Sequence, residues 1–569
     1  MKKKIVTIFL ILAILVVAIL GSLYFIYKNK DDSTTLLLLD TKNNYIELLD
    51  TPATKLTEDT VIKKLVGDKL EDASYSDLYI GMNNLYVKTN GDVVEMILID
   101  NEPVFNRVRV AIRKTLTNIS DKSTLYHDVV TIELYADTKI KTYDGSESYK
   151  VGANQSIEFF VNDNKISFYV GSKLVESTKR IILEESDKEM KITSITRNSK
   201  KLYKGNLELS LVNGRILVIN DLLMEDYLKK VVPSEMPASW NLEALKAQAV
   251  AARTFAYKSI YNKSYRTQGY VVDDSENSQV YNNLNETDAT NRAVLETKGI
   301  TMLYNNKPIN AYFYSSNGGL KGKGNEVWIT DKVGSDIPYL QGGNETNKSV
   351  NVNDEASVLS FFKTLSMDAP SGNSNDFRWL ITMSKSQLRQ TLNTNLKAMG
   401  ASNNKSFPIL ENGNWVAKAF PNDIGEISNI FVSQRGSSGV VISLQIVASN
   451  VTFRIYNQSN IRFTIRPDDC GSDVTLYRAK ANSSSYTHTT TNPSTLKSGF
   501  FALEWNGNNL SFYGGGWGHG VGMSQYGANS YASKGKNYRE ILNTYYTGVE
   551  FVDTSKEYKP LRNYKKYFE

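Results

Sequence analysis

The chain has 569 residues, with 66 Lys and Arg against 60 Asp and Glu for a net charge of +6, and 41% hydrophobic residues. That composition excludes a disordered chain and gives length enough for about three domains with a sizeable core. One cysteine, Cys470, and three histidines, His127, His488 and His519, exclude a disulfide framework and iron–sulfur clusters, and argue against cysteine-rich or multi-histidine metal sites.

Residues 1–4 read as a short cytoplasmic tail and residues 5–27 as a membrane anchor, because no charge interrupts those 23 positions. At about 1.5 Å per residue such a helix reaches about 35 Å, enough to cross a hydrocarbon core of about 30 Å. The run ends in Leu23-Tyr24-Phe25-Ile26-Tyr27, an aromatic belt rather than the small-residue cleavage site of a signal peptide, which is the alternative. Lys2, Lys3 and Lys4 precede it, while Lys28 and Lys30 are offset by Asp31 and Asp32, so the bias orients the amino terminus to the cytoplasm. The expectation is a single-pass cell-membrane protein with an extracytoplasmic ectodomain. A large external region without disulfides fits a bacterial, Gram-positive surface. Residues 1–30 hold five of the six net charges and residues 556–569 another three, leaving the body at −2. The basic balance is therefore an orientation signal plus a basic tail, and nucleic acid is not an expected partner.

Residues 31–106 read as a β-rich juxtamembrane spacer with one helical stretch near 57–70. Strands dominate residues 107–223, where Val108-Arg109-Val110-Ala111-Ile112 alternates and Asn213-Gly214 marks a hairpin. Residues 241–259 form an alanine-rich helix, since Leu242, Leu245, Ala249 and Ala252 recur on one face. A helix is expected over 376–392, a hairpin around Arg435-Gly436-Ser437-Ser438-Gly439, and a solvated serine/threonine loop over 482–495. Helices near 523–533 and 538–546 end at Gly535 and Gly548, before a basic tail over 550–569. The fold class is α+β: a β-rich ectodomain with an alanine-rich helix and C-terminal helices around a cleft, preceded by one transmembrane helix.

Three segments could carry chemistry. In Val232-Pro233-Ser234-Glu235-Met236-Pro237 two prolines fix a short loop around one carboxylate. Met236, Trp240 and the prolines give Glu235 apolar company that would keep a proton on it, as a glycosidase acid requires; read alone, it is equally a loop glutamate before a helix. In Gly514-Gly515-Gly516-Trp517-Gly518-His519-Gly520-Val521-Gly522-Met523-Ser524-Gln525 glycines surround Trp517 and His519 and lead into a helix start. Backbone amides there could receive an oxyanion or a sugar substituent, and Trp517 offers a face for sugar stacking. No lysine follows in the P-loop arrangement. The turn Phe313-Tyr314-Ser315-Ser316-Asn317-Gly318-Gly319, with Glu326-Val327-Trp328 after it, could bind a polar substrate or be an ordinary turn.

Together these segments resemble the sporulation stage II protein D (SpoIID) and LytB amidase-enhancer family. The resemblance rests on Val232–Pro237 running into Glu243-Ala244-Leu245-Lys246-Ala247-Gln248-Ala249-Val250-Ala251-Ala252-Arg253-Thr254, on the Ser-Ser-Asn-Gly-Gly turn, on Gly516-Trp517-Gly518-His519-Gly520-Val521-Gly522-Met523-Ser524-Gln525, and on Tyr545-Tyr546-x-Gly548. It covers residues 107–549, with variable segments within 341–500. It implies a lytic transglycosylase acting on peptidoglycan glycan strands already stripped of peptides, with Glu235 as catalytic acid/base. Ser234, Gln248, Arg253, Ser315, Ser316, Asn317, Trp517, His519, Ser524 and Gln525 are the candidate substrate-binding residues. A lone glutamate suffices where an ordinary glycosidase needs two carboxylates, because the sugar's own 6-hydroxyl can attack to give a 1,6-anhydro product. Some members hold zinc ahead of a Gln-x-Tyr segment, but Asp273-Asp274-Ser275-Glu276-Asn277-Ser278-Gln279-Val280-Tyr281 has no Cys or His. No metal or other cofactor is expected, and that loop must be held another way. A non-enzymatic enhancer of a cell-wall amidase is the competing reading.

Overall fold

Asn213 and Gly214, at φ of 50° and 72°, turn the strand Asn206–Val212 back into Arg215–Leu223, as the Asn-Gly pair predicts. Around that hairpin an antiparallel sheet runs from Ser148–Val151 through Thr138–Thr142, Ile181–Leu183, Asn206–Val212 and Arg215–Leu223 to Arg107–Ala111, and ends on the parallel strand Val272–Asp273. The computed structural model describes residues 33–100, 105–116, 121–196, 202–282, 284–555, 561 and 564–568. The expected anchor at 5–27 lies outside them; among the described residues no helix is long and apolar enough to cross a membrane.

The chain forms two units. The first takes residues up to Leu223, then Ile260–Ser278 and the segment from Ser555; the second takes Met224–Ser259 and Gln279–Thr554. Residues 33–100 fall in the same unit as 107–223, and residues 107–549 are divided between the two units. One cause is visible in the core. The strand Arg107–Ala111 alternates in sequence, but Arg109 is buried like its apolar neighbours. Its guanidinium donates to Glu208 (2.8 and 2.5 Å) and to the Gly269 carbonyl (2.7 Å). Arg180 reaches the same Glu208 at 3.2 Å and donates to Glu47, from the expected spacer, at 2.8 Å. Burial alone would raise the Glu208 carboxyl, yet the two guanidiniums hold it below its ordinary value.

Other expectations also need correction. Residues 57–70 are not helical: Val61–Val66 pairs with Lys69–Asp72 and lies parallel to Val93–Asp100. The spacing of Ile62 and Leu65 imitates a helix, but β-branched residues and a Gly67 turn at φ 62° favour strands. Leu561, Tyr564, Tyr567 and Phe568 pack on Leu65, Tyr86 and Leu98, with Tyr564 stacked on Tyr86 at 4.3 Å.

In the second unit two five-stranded sheets share one core. One runs His488–Thr491, Thr475–Ala479, Arg378–Ser384, Asn509–Gly514, Phe501–Asn506; the other runs Asn414–Val416, Ile409–Glu411, Thr452–Tyr456, Val441–Ala448, Ile427–Arg435. Trp379, Ile381 and Met383 alternate into that core, so the first half of the expected 376–392 helix is a strand. The helix starts only at Lys385, where Ser384 and Gln387 form a capping box. The loop over 482–495 contains the strand His488–Thr491, recruited by Thr475–Ala479. Cys470 is buried in this core.

Candidate active site

Glu235 is the last residue of the helix Met224–Glu235, not a loop residue. Pro233 lies inside that helix, where its ring nitrogen has no proton to donate. The turn closes nonetheless through Met236 N–H to the Val232 carbonyl (2.9 Å) and Ser234 Oγ to the Lys230 carbonyl (2.7 Å). Ser234 is thus part of the turn that delivers Glu235.

The carboxylate is half-buried and its surroundings are more polar than the sequence suggests. Val280 N–H donates to Oε1 at 2.8 Å, and Gln525 Nε2 approaches Oε2 at 3.3 Å. The same Gln525 Nε2 lies 3.3 Å from Oε1 of Gln248. Gln248 comes from the alanine-rich helix Leu242–Ile260 and is fully buried, with no partner for its Nε2 among the described residues. Buried Ala244, Ala247, Ala251 and Ala252 on that helix allow its neighbours close. Apolar contact remains on one side, where Met236 is buried and Trp240 packs edge-on against Tyr526 at 4.9 Å.

Sequence reasoning missed how Val280 is held. Gln279 accepts from Tyr227 OH (2.9 Å) and donates to the Ala252 carbonyl (3.1 Å), and Tyr281 packs on Tyr227 at 5.2 Å. The Gln-x-Tyr pattern was the available signal. The loop before it is fastened within its own unit: Arg113 donates to Asp273 at 2.9 Å, and Asp273 accepts from Ser275 N and Oγ.

Two further motifs meet through short strands. Ser316–Asn317 pairs antiparallel with Gly516–Trp517, and Phe313–Tyr314 lies parallel to Met523–Ser524. Tyr526 N–H donates to the Ser315 carbonyl at 3.0 Å, so the serine turn stands beside the residue that follows Gln525. Most side chains of this cluster face inward. Asn317 donates to Glu345 (2.6 Å) and accepts from Gly319 N (3.0 Å). Ser316 accepts from Ser374 at 2.9 Å, and Ser524 caps the helix Gln525–Ser533 through Gly527 N.

His519 has both ring nitrogens engaged, Nε2 with the Phe313 carbonyl (3.0 Å) and Nδ1 with Val521 N–H (3.1 Å). Burial pushes its imidazole down to about 4, so it is neutral near pH 7. The amides of Gly515, Gly516 and Gly518 donate to the carbonyls of Phe500, Asp376 and Lys497, so they do not wait for an oxyanion. Gly522, at φ 76°, passes so near the Tyr312 carbonyl that a Cβ would lie 2.0 Å from it. Arg253 is buried in a bidentate pair with Glu225 (2.9 and 2.7 Å). Glu326 accepts from the amides and hydroxyls of Ser437 and Ser438, tying down the hairpin. Trp517, 45% exposed, is the candidate residue that presents a ring to solvent.

Glu235, Gln248 and Val280 of this arrangement, though not Gln525, fall in residues 212–304, which the SpoIID family profile, described as Stage II sporulation protein, matches. A domain of unknown function, DUF8618, matches residues 323–522. The chain is similar to the stage II sporulation protein D and amidase-enhancer proteins. An amidase enhancer of Bacillus subtilis (strain 168) is 28% identical over 333 residues, which are 57% of this chain and 40% of that protein's length. The stage II sporulation protein D of the same organism is 26% identical over 350 residues, covering 59% of this chain and 76% of its own. An uncharacterised protein of Brachyspira hyodysenteriae is 28% identical over 362 residues, covering 63% and 75%.

Proposed function

We propose that the chain is a membrane-anchored lytic transglycosylase that cuts peptide-free glycan strands of peptidoglycan, with residues 5–27 as anchor and the remainder outside the cell. The observation that carries this reading is the Glu235 carboxylate, half-buried and oriented by Val280 N–H and Gln525. Protonated Glu235 gives its proton to the glycosidic oxygen as the bond from the anomeric carbon of N-acetylmuramic acid breaks. The carboxylate then takes the proton of the same sugar's 6-hydroxyl while that oxygen bonds to the anomeric carbon, closing the 1,6-anhydro ring. The proton is returned, so neither water nor a second carboxylate is consumed.

The test is a mass-spectrometric digest of peptide-stripped peptidoglycan with the full chain. Wild type should release 1,6-anhydro products, and Glu235→Gln should lower the rate at least about a hundredfold, the usual worth of a general acid or base, while still binding the strands. Full activity in that variant would sink the assignment. The amidase-enhancer relative favours one second reading, stimulation of a cell-wall amidase without catalysis. In that case wild type alone releases no anhydro product, and an added amidase works faster in its presence.

A further inference from the structure

Trp328 ends the Glu326-Val327-Trp328 segment, and the reaction above makes no use of it, yet the residue is 40% exposed. One side of its indole is packed. Tyr312 lies 4.3 Å from the ring and His519 5.1 Å, and those two rings are 6.0 Å from each other. Sides of these lengths make the angle at Trp328 less than a right angle, so both neighbours stand to one side of the indole and its exposed area lies to the other. The backbone is fastened before and after the ring. Two residues earlier, the Glu326 carboxylate accepts from the amides and hydroxyls of Ser437 and Ser438 at 2.5 to 3.0 Å. Gly436 admits that carboxylate, since a Cβ there would lie 2.4 Å from it. One residue later, the Ile329 carbonyl accepts from Asn457 Nδ2 at 2.9 Å. A ring held in this way loses little freedom when it takes a ligand.

The alanine-rich helix measures where the ring stands. Gln248 and Phe255 are seven residues apart on Leu242–Ile260, two turns and about 10 Å along one face. Gln248 meets Gln525, which meets Glu235. Phe255 instead meets Tyr312 at 6.2 Å, and Met523 N–H ties the Tyr312 carbonyl back at 3.0 Å. The Tyr312–Trp328 pair therefore stands some two helical turns from the catalytic end of that helix.

We infer that Trp328, backed by Tyr312 and His519, is a distal subsite for a long glycan strand. Its outward face takes the C–H face of a sugar ring beyond those that flank the bond cut at Glu235. The inference rests on the glycan-cleavage reading and deepens it by giving strand length a place of recognition. The contact is apolar and reads the ring alone, so only a strand long enough to reach from Glu235 to the indole gains from it.

The probe is peptide-stripped glycan sorted into a ladder of lengths from two sugars upward, titrated against the full-length Glu235→Gln chain. Affinity should rise with length to a plateau. Trp328→Ala in that background should lower the plateau about tenfold, a difference of about 1.4 kcal/mol, and leave the shortest strands that bind unaffected. Trp328→Tyr should keep most of the gain. An affinity that does not rise with length overturns the inference and leaves the glycan reading standing. Undiminished binding of long strands by Trp328→Ala does the same, and makes the ring a surface for a protein instead. A loss equal at every length, or a Trp328→Tyr chain no better than Trp328→Ala, makes the indole only a support for Tyr312 and His519 and also overturns the subsite. Binding of no strand by the Glu235→Gln chain overturns both readings.

Discussion

Arg253 directs its guanidinium inward to Glu225 and the Ile300 carbonyl, although its motif suggested contact with substrate. Arg253→Met strands a carboxylate beside an apolar side chain and should lower unfolding free energy by about 3 kcal/mol, as breaking a buried pair does. Urea denaturation checks this, and KM of the folded fraction should not move. His519 gives a pH dependence of stability. Its folded-state value of about 4 lies below the unfolded value of about 6.5, so the unfolded chain binds the extra proton. Stability is full above about pH 6.5 and falls as pH drops towards 4. His519→Gln should flatten the melting-temperature profile across that window. Glu235 and Trp517 stand out in sequence, because a carboxylate between prolines and a tryptophan among glycines are uncommon. Their partners do not: Val280 acts through a backbone amide, which no side-chain pattern announces.

Among elements, turns and short periodic runs were legible where chemistry fixes them locally. The Asn213-Gly214 hairpin follows from two left-handed residues, and the alanine-rich helix from its spacing. The strand Arg378–Ser384 was not, because Asn509–Gly514 pairs with it from far along the chain, and no local window contains that partner. Two glycines separate the kinds of constraint involved. Gly214 has open space where a Cβ would go, so Gly214→Ala should cost only the left-handed penalty of about 1 kcal/mol. Gly522 has the same backbone sign and also meets the Tyr312 carbonyl, so Gly522→Ala should cost clearly more and disturb the strand beside Gln525. Comparing the two urea midpoints tests this, and equal shifts would contradict the close packing seen there.

For the molecule as a whole, the chain's path matters more than its length. The first unit borrows Ile260–Ser278 from beyond the start of the second, and with it the strand Val272–Asp273 and the carboxylates that hold Arg113. A fragment of residues 33–223 should therefore lack a cooperative thermal transition, which one supplying 260–278 in trans should restore; a sharp transition in the fragment alone would refute that dependence. The sequence marks the end of a strand-rich stretch at 223 and of the alanine-rich helix near 259, but nothing in it shows that residues 260–278 return to the first unit. Cys470 has a practical side. Burial, with help from Asp468 and Asp469, pushes its thiol up to about 12, so at ordinary labelling pH it stays protonated and shielded. The native chain is in effect blank to maleimide chemistry. A cysteine placed on any exposed loop would then carry a fluorophore or cross-linker as the single reactive handle, without first removing a residue.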